Sequence, residues 1–189
     1  IFGGLRLLQN RIAGLHIGRK SALALQGVRH NLGSMESCVL WGDKRYSLPD
    51  WFTSRFPSRY CHAKLFEWPD NELERKTLTT PPGLPEHVVV ACPERAVLEL
   101  LYEVGVKQGL EEARNLFDGL RSPRKQVLGD LLSCCTSVKA VRLYLTWARE
   151  TELVDVDALL EDFPVRTGSS SRWMTRLDDG TLLSLNPQG

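Results

Sequence analysis

Glu86-His87-Val88-Val89-Val90-Ala91-Cys92-Pro93-Glu94-Arg95-Ala96-Val97-Leu98-Glu99-Leu100-Leu101-Tyr102 changes from a strand-forming run to a helical period at Cys92-Pro93. Three consecutive valines in residues 87–91 predict a strand buried on both faces. Val97, Leu100, Leu101 and Val104 then recur at i, i+3, i+4 and i+7, the apolar stripe of a helix. Pro93 suits the first helical position, where a missing N–H costs nothing and the fixed φ favours helix entry. Cys92 takes the capping position, although a thiol caps less well than Ser or Asp. Glu94 complements the positive helix start and Arg95 opposes it, so Arg95 calls for an anionic partner.

Working outward, 189 residues that are 42% hydrophobic can bury one sizeable core or two small ones. No apolar run reaches the roughly 18–20 residues of a membrane span, and the first residues lack the order of a signal peptide, so a cytoplasmic location is expected. Five cysteines, two of them the vicinal Cys134-Cys135 and none in a C-x-x-C, fit reduced, buried thiols better than a disulfide framework or a zinc ribbon. The chain starts at Ile1 rather than Met, with Leu5, Leu7 and Leu8 already in a helical pattern, so an upstream segment is expected.

The net charge of +1 is unevenly spread. Residues 1–67 hold ten basic against four acidic side chains, residues 68–118 five against ten, residues 119–150 six against two, and residues 151–165 five acids alone. Such blocks imply surfaces of opposite sign or a mixed, solvated exterior.

Patterning predicts helices over residues 2–11 and 18–27, a strand over 36–41, a turn into a short helix at Leu48-Pro49-Asp50-Trp51, and a half-buried strand over 60–66. Residues 70–84 read as a polar surface loop carrying a short strand. Three amphipathic helices follow, marked by Leu110/Ala113/Phe117/Leu120, by Leu128/Leu131/Leu132/Cys135 and by Val138/Val141/Leu145/Ala148. Ser122-Pro123 is the expected cap and first-turn pair of the second, and Ser137 the expected cap of the third. Past Gly168-Ser169-Ser170-Ser171, Asp179-Gly180 predicts a two-residue type I′ turn that sets Leu177 opposite Leu182. The expected fold is α+β: one domain over residues 1–189, with a small mixed β-sheet wrapped by helices, an α-helical cluster near residues 107–150 and a C-terminal β-hairpin.

Several segments, in their order, resemble the C-terminal antitoxin domain of the AbiEi-like family, the antitoxins of bacterial type IV, abortive-infection toxin–antitoxin systems. They are residues 5–9 and 16–27 (LRLLQ and HIGRKSALALQG), Val39-Leu40-Trp41-Gly42 with Leu48-Pro49-Asp50-Trp51, residues 92–101 (CPERAVLELL), and Ser137-Val138-Lys139-Ala140-Val141-Arg142-Leu143. The family usually has Ser or Thr where Cys92 stands, so the expected cap is weaker here. The resemblance implies a two-domain antitoxin and autorepressor. A winged helix, expected upstream and largely absent from this chain, binds promoter DNA, and the C-terminal domain supplies antitoxin activity without catalysis, cofactor or membrane. It also implies a nucleotidyltransferase-like toxin that is opposed functionally; type IV antitoxins are not defined by a tight complex, so no toxin-binding face is predicted.

Among the residues themselves, Lys139, Arg142, Thr146 and Arg149 recur at i, i+3, i+7 and i+10, off the apolar face of the third helix. Arg121, Arg124 and Lys125 before the second helix, and Arg172 and Arg176 in the hairpin, extend this candidate nucleic-acid surface. Such cations would give salt-dependent, sequence-independent affinity, and a solvated helix face explains the same spacing. Pro93, Glu94 and Arg95 read as a structural corner, with Arg95 pairing to Glu99 one turn on at a worth near ~1 kcal/mol if the pair is partly exposed; contact with an anionic partner is the alternative.

Enzyme readings have less behind them. His16, His30, His62 and His87 are scattered without metal-ligand spacing, and neither a phosphate-binding glycine loop nor a nucleophile elbow occurs. Asp70 with Glu74-Arg75-Lys76 is the one acidic set suggesting a metal-dependent nucleic-acid-processing enzyme; because these residues share one polar loop rather than separate strands, a solvated charge run explains them better. A regulator domain used only for dimerisation is the third reading.

Overall fold

The strand-to-helix stretch over residues 86–102 lies at the centre of the molecule. In chain order the computed structural model, which describes residues 2–28 and 37–188, runs α1 (Phe2–Gln9), β1 (His16–Ile17), α2 (Arg19–Leu25), β2 (Cys38–Gly42), α3 (Asp50–Thr53), β3 (Ser58–His62), α4 (Asn71–Lys76) and β4 (Leu78–Thr79). It continues with β5 (Val90–Ala91), α5 (Pro93–Tyr102), α6 (Leu110–Asp118), α7 (Lys125–Cys134), α8 (Val138–Glu150), α9 (Val156–Asp162), β6 (Trp173–Arg176) and β7 (Leu182–Leu185). The fold is α+β, as expected.

The larger sheet has the order β3-β2-β1-β5-β4. β1 pairs parallel to β5 and antiparallel to β2, β2 is parallel to β3, and β4 is antiparallel to β5, which makes the sheet mixed. β6 and β7 form the separate C-terminal hairpin. α5 packs against α2, α6, α7, α8 and β5. Surrounded in this way, it buries every residue from Glu94 to Leu101, including three charged ones.

Local chemistry explains the boundaries. Cys92 has extended N-cap geometry with Pro93 at the helix start, but no side-chain cap bond forms. Ser137 does cap α8, accepting from the Ala140 N–H at 3.2 Å. α7 departs from expectation because it begins at Lys125, and Ser122 holds φ +40 outside it. The partner of its first backbone N–H comes from α5: Glu94 Oε1 accepts from Arg124 N at 2.8 Å.

The strands are shorter than their patterns suggest. β5 keeps only Val90–Ala91, because Val88 N–H turns back to Pro85 O at 2.8 Å, and Val89 is only half-buried. The strand expected over residues 36–41 is β2, and Glu36 lies outside the described residues. The strand expected over 60–66 is displaced to Ser58–His62 by its register with β2, and Phe66 instead bridges to Cys135. Within the expected loop at 70–84, Asp70 accepts from Leu73 N–H at 2.7 Å and starts α4, ahead of β4. α9, which the sequence reading did not mark, has Asp155 as its cap, bonded to Ala158 N–H at 3.0 Å.

The hairpin loop is longer by one residue than predicted. A type I′ turn needs positive φ at both central residues, but only Gly180 has it, at +84. Gly180 N–H donates to Leu177 O and Leu177 N–H to Thr181 O, the pattern of a three-residue loop with a glycine bulge, so Leu182 faces Arg176 rather than Leu177.

Candidate functional site

Two charged assemblies are built on α5. The first is wholly interior. Glu99 Oε1 accepts from Arg95 Nε at 2.9 Å and faces His16 Nε2 at 2.7 Å, and Oε2 accepts from the Arg19 backbone N–H at 3.2 Å. Burial pushes the Glu99 carboxyl up, but His16 and Arg95 outweigh it and hold the group below the usual carboxylate range. Arg95 Nη1 also donates to Thr77 Oγ1 at 3.1 Å, and its guanidinium lies 5.6 Å from the Phe66 ring centroid and 5.0 Å from that of Trp68. The i,i+4 partner is Glu99 as the spacing predicts, yet the pair is not partly exposed: Arg95 is 1% accessible and Glu99 0%.

Arg19 belongs to the same interior. It takes φ +51, donates from Nη2 to Gln108 Oε1 at 3.2 Å, and lies 3.8 Å from Glu103 Oε2. Gly18 makes room for the Glu99 carboxylate: a Cβ there would fall 2.5 Å from Glu99 Oε2. Neither His16, Arg19 nor Glu103 was singled out as a charged-core residue from sequence. The available signal was His16 between Leu15 and Ile17, a titratable side chain in an otherwise apolar run.

The second assembly is a cleft of about 590 Å³ between the start of α5, the end of α2, the α4–β4 corner and the segment before α7. Glu94 lies in its wall and accepts from Arg124 three times, from N at 2.8 Å, Nε at 3.0 Å and Nη2 at 2.9 Å. Burial raises the Glu94 carboxyl, but these bonds prevail and hold it down at about 2. Arg121 and Lys76 also line the cleft, as does Tyr144 from α8.

The candidate nucleic-acid residues are therefore divided. Arg121 and Arg124 meet at the cleft, and Lys125 follows them, paired with Asp162 at 2.6 Å. The stripe along α8 does not form a surface. Lys139 Nζ donates to Tyr102 O at 2.5 Å and Val104 O at 2.8 Å, and burial pushes its pKa down. Arg142, 1% accessible, donates to the carbonyls of Thr167 (2.7 Å), Ser169 (2.5 Å), Ser171 (2.8 Å) and Leu185 (3.4 Å). Thr146 Oγ1 accepts from Gln188 Nε2 at 3.1 Å. The C-terminal segment thus covers the face that helical spacing leaves for solvent. Arg149 pairs with Asp157 at 2.7 Å, Arg176 donates to Gly180 O at 3.2 Å and shares a hollow of about 310 Å³ with Lys139, and Arg172 is exposed.

For the enzyme readings, the acidic set at 70–76 is a solvent-facing helix turn in which Lys76 pairs with Glu72 at 2.7 Å. Among the described residues no three His, Cys, Asp or Glu side chains come together as a metal would require. All five cysteines are buried free thiols, and burial pushes Cys92 and Cys135 up to about 12 and Cys134 up to about 11. Among the described residues no helix is long and apolar enough to cross a membrane.

Comparison with known proteins agrees with this architecture. No curated protein matches the chain. The crystal structure of the RV2827C protein from Mycobacterium tuberculosis shares the fold, with a TM-score of 0.50 and 18% identity over 90% of this chain. The match spans 64% of that protein's chain. The family described as "Transcriptional regulator, AbiEi antitoxin, Type IV TA system" matches residues 35–185, from before β2 to the end of β7. The chain belongs to the AbiEi antitoxin family of transcriptional regulators of type IV toxin–antitoxin systems.

Proposed function

We propose that this chain is the antitoxin module of a type IV antitoxin and transcriptional autorepressor, acting without catalysis. The family match over residues 35–185 carries the reading, because it takes in β2, α5, α8 and the hairpin together rather than one motif. The internal pairing of the α5 charges supports it. Glu94 is neutralised by Arg124 and Glu99 by Arg95, so these carboxylates hold the α5 corner instead of waiting for substrate. Promoter DNA is bound by a winged helix upstream of this chain, and a nucleotidyltransferase-like toxin is opposed functionally. Any DNA affinity of the chain itself is nonspecific and comes from Arg121, Lys125, Arg172 and Arg176, whose side chains lie outside the core.

Coexpression with the cognate toxin tests the proposal. This chain alone restores growth, and leaves promoter DNA without a footprint at any defined site. Absence of rescue contradicts it, and metal-dependent cleavage of nucleic acid by the purified chain would establish the enzyme reading instead.

A further inference from the structure

The hydroxyl of Tyr144 is completely buried and has no hydrogen-bond partner among the described residues. Its ring packs edge-on against Phe117, 5.2 Å between centroids, while the side chain forms part of the cleft wall beside Glu94. Burial pushes the phenol pKa well up, with the Glu94 charge adding to the shift, so the group is a donor at any physiological pH. A buried donor left unmade is unfavourable, and a native fold retains one where something else accepts from it.

The rest of the cleft favours an anion. Arg124 cancels Glu94, whereas Arg121 donates only to the carbonyls of Asp118 and Leu120 and has no acidic partner among the described residues. Lys76 is tied only to Glu72, in a pair that is mostly exposed and therefore weak. The start of α5 contributes its partial positive charge, and no side chain caps it. Ser122, in the same wall, is held at φ +40, a conformation uncommon for a residue with a side chain and frequent at binding sites. Val97, Leu120 and Pro123 give an apolar surface, and a volume of about 590 Å³ lies within the range of small-molecule pockets.

We propose that this cleft binds a small organic phosphate the size of a nucleoside monophosphate. Its anionic group meets Arg121, Lys76 and the α5 start, and one of its acceptor oxygens takes the Tyr144 hydroxyl. The site is independent of the antitoxin reading, since binding is measured on the purified chain whatever the fate of the rescue assay.

Calorimetric titration with the four ribonucleoside 5′-monophosphates, with the corresponding nucleosides and inorganic phosphate as separate arms, tests the inference. At least one monophosphate binds saturably, more tightly than its nucleoside and than inorganic phosphate. Tyr144→Phe weakens it about three- to tenfold, the worth of one hydrogen bond, and Arg121→Ala weakens it and flattens its salt dependence. In the ligand-free protein Tyr144→Phe raises Tm by about 2–4 °C, because an unpaired buried hydroxyl is removed. The inference is overturned if no monophosphate saturates, if a nucleoside or phosphate alone binds as well, or if both variants bind unchanged. A lower Tm for Tyr144→Phe also overturns it, since the hydroxyl would then have a partner within the fold.

Discussion

Replacing Arg95 by alanine removes more than an ion pair. With Arg95 only 1% accessible, the guanidinium is held by Glu99, by Thr77 and by two aromatic faces, those of Phe66 and Trp68. Breaking a buried pair from one side costs about 3–5 kcal/mol, because the remaining charge is left uncompensated. His16 and the Arg19 N–H still serve Glu99, which lowers that figure. Loss of the cation–π contacts, worth ~0.5–2 kcal/mol each, raises it again. The expected destabilisation is about 3–5 kcal/mol, well above the ~1 kcal/mol appropriate to a partly exposed pair. Glu99→Ala should cost at least as much, since it strands the partners on Arg95 and His16 together. Urea melts fitted to a common slope measure both values. An Arg95→Ala midpoint equivalent to less than about 1 kcal/mol would refute the reasoning and mean that the side chain is solvated rather than clamped.

Two further outcomes follow from the same geometry. Glu94 lies in the fold at about 2 against an ordinary value of 4.5, so its contribution is complete above about pH 5 and is lost as pH falls toward 2. Glu94→Gln should therefore be less stable than the parent by about 1–3 kcal/mol at pH 7 and converge with it near pH 2–3; parallel stability curves would contradict this. Arg142→Ala should release the C-terminal segment by stranding four carbonyls, so that amide exchange at Trp173–Arg176 and Leu182–Leu185 quickens while β2 stays protected. Unchanged exchange in the hairpin would show that other contacts suffice to hold it.

What the sequence reveals follows the range of the interactions involved. The Cys92-Pro93 boundary, the α5 period and the Ser137 cap are set within a few residues, and all three appear as the pattern suggests. Arg95 and Glu99 lie one turn apart, so their pairing is legible, but the burial that sets its strength depends on Phe66, Trp68 and Thr77 from other elements. Glu94 and Arg124 are thirty residues apart, and nothing local shows that a carboxylate on one helix anchors the start of another. The α8 stripe misleads for the same reason. Spacing identifies the side of a helix that is not apolar, but not that residues 167–188 cover it at Arg142 and Thr146, or that the end of α5 takes Lys139, so that both basic groups donate to backbone carbonyls. In the hairpin, Asp179-Gly180 marks the turn correctly, while the extra loop residue depends on which of the two takes positive φ.

The most direct test of the central claim, that the charged α5 corner is scaffold and the antitoxin activity needs no catalytic group there, is growth rescue by Arg95→Ala coexpressed with the cognate toxin. It is performed at a temperature where circular dichroism shows the variant fully folded. The account predicts rescue equal to that of the parent chain. A folded Arg95→Ala protein that no longer protects cells would contradict it and make the guanidinium a functional contact.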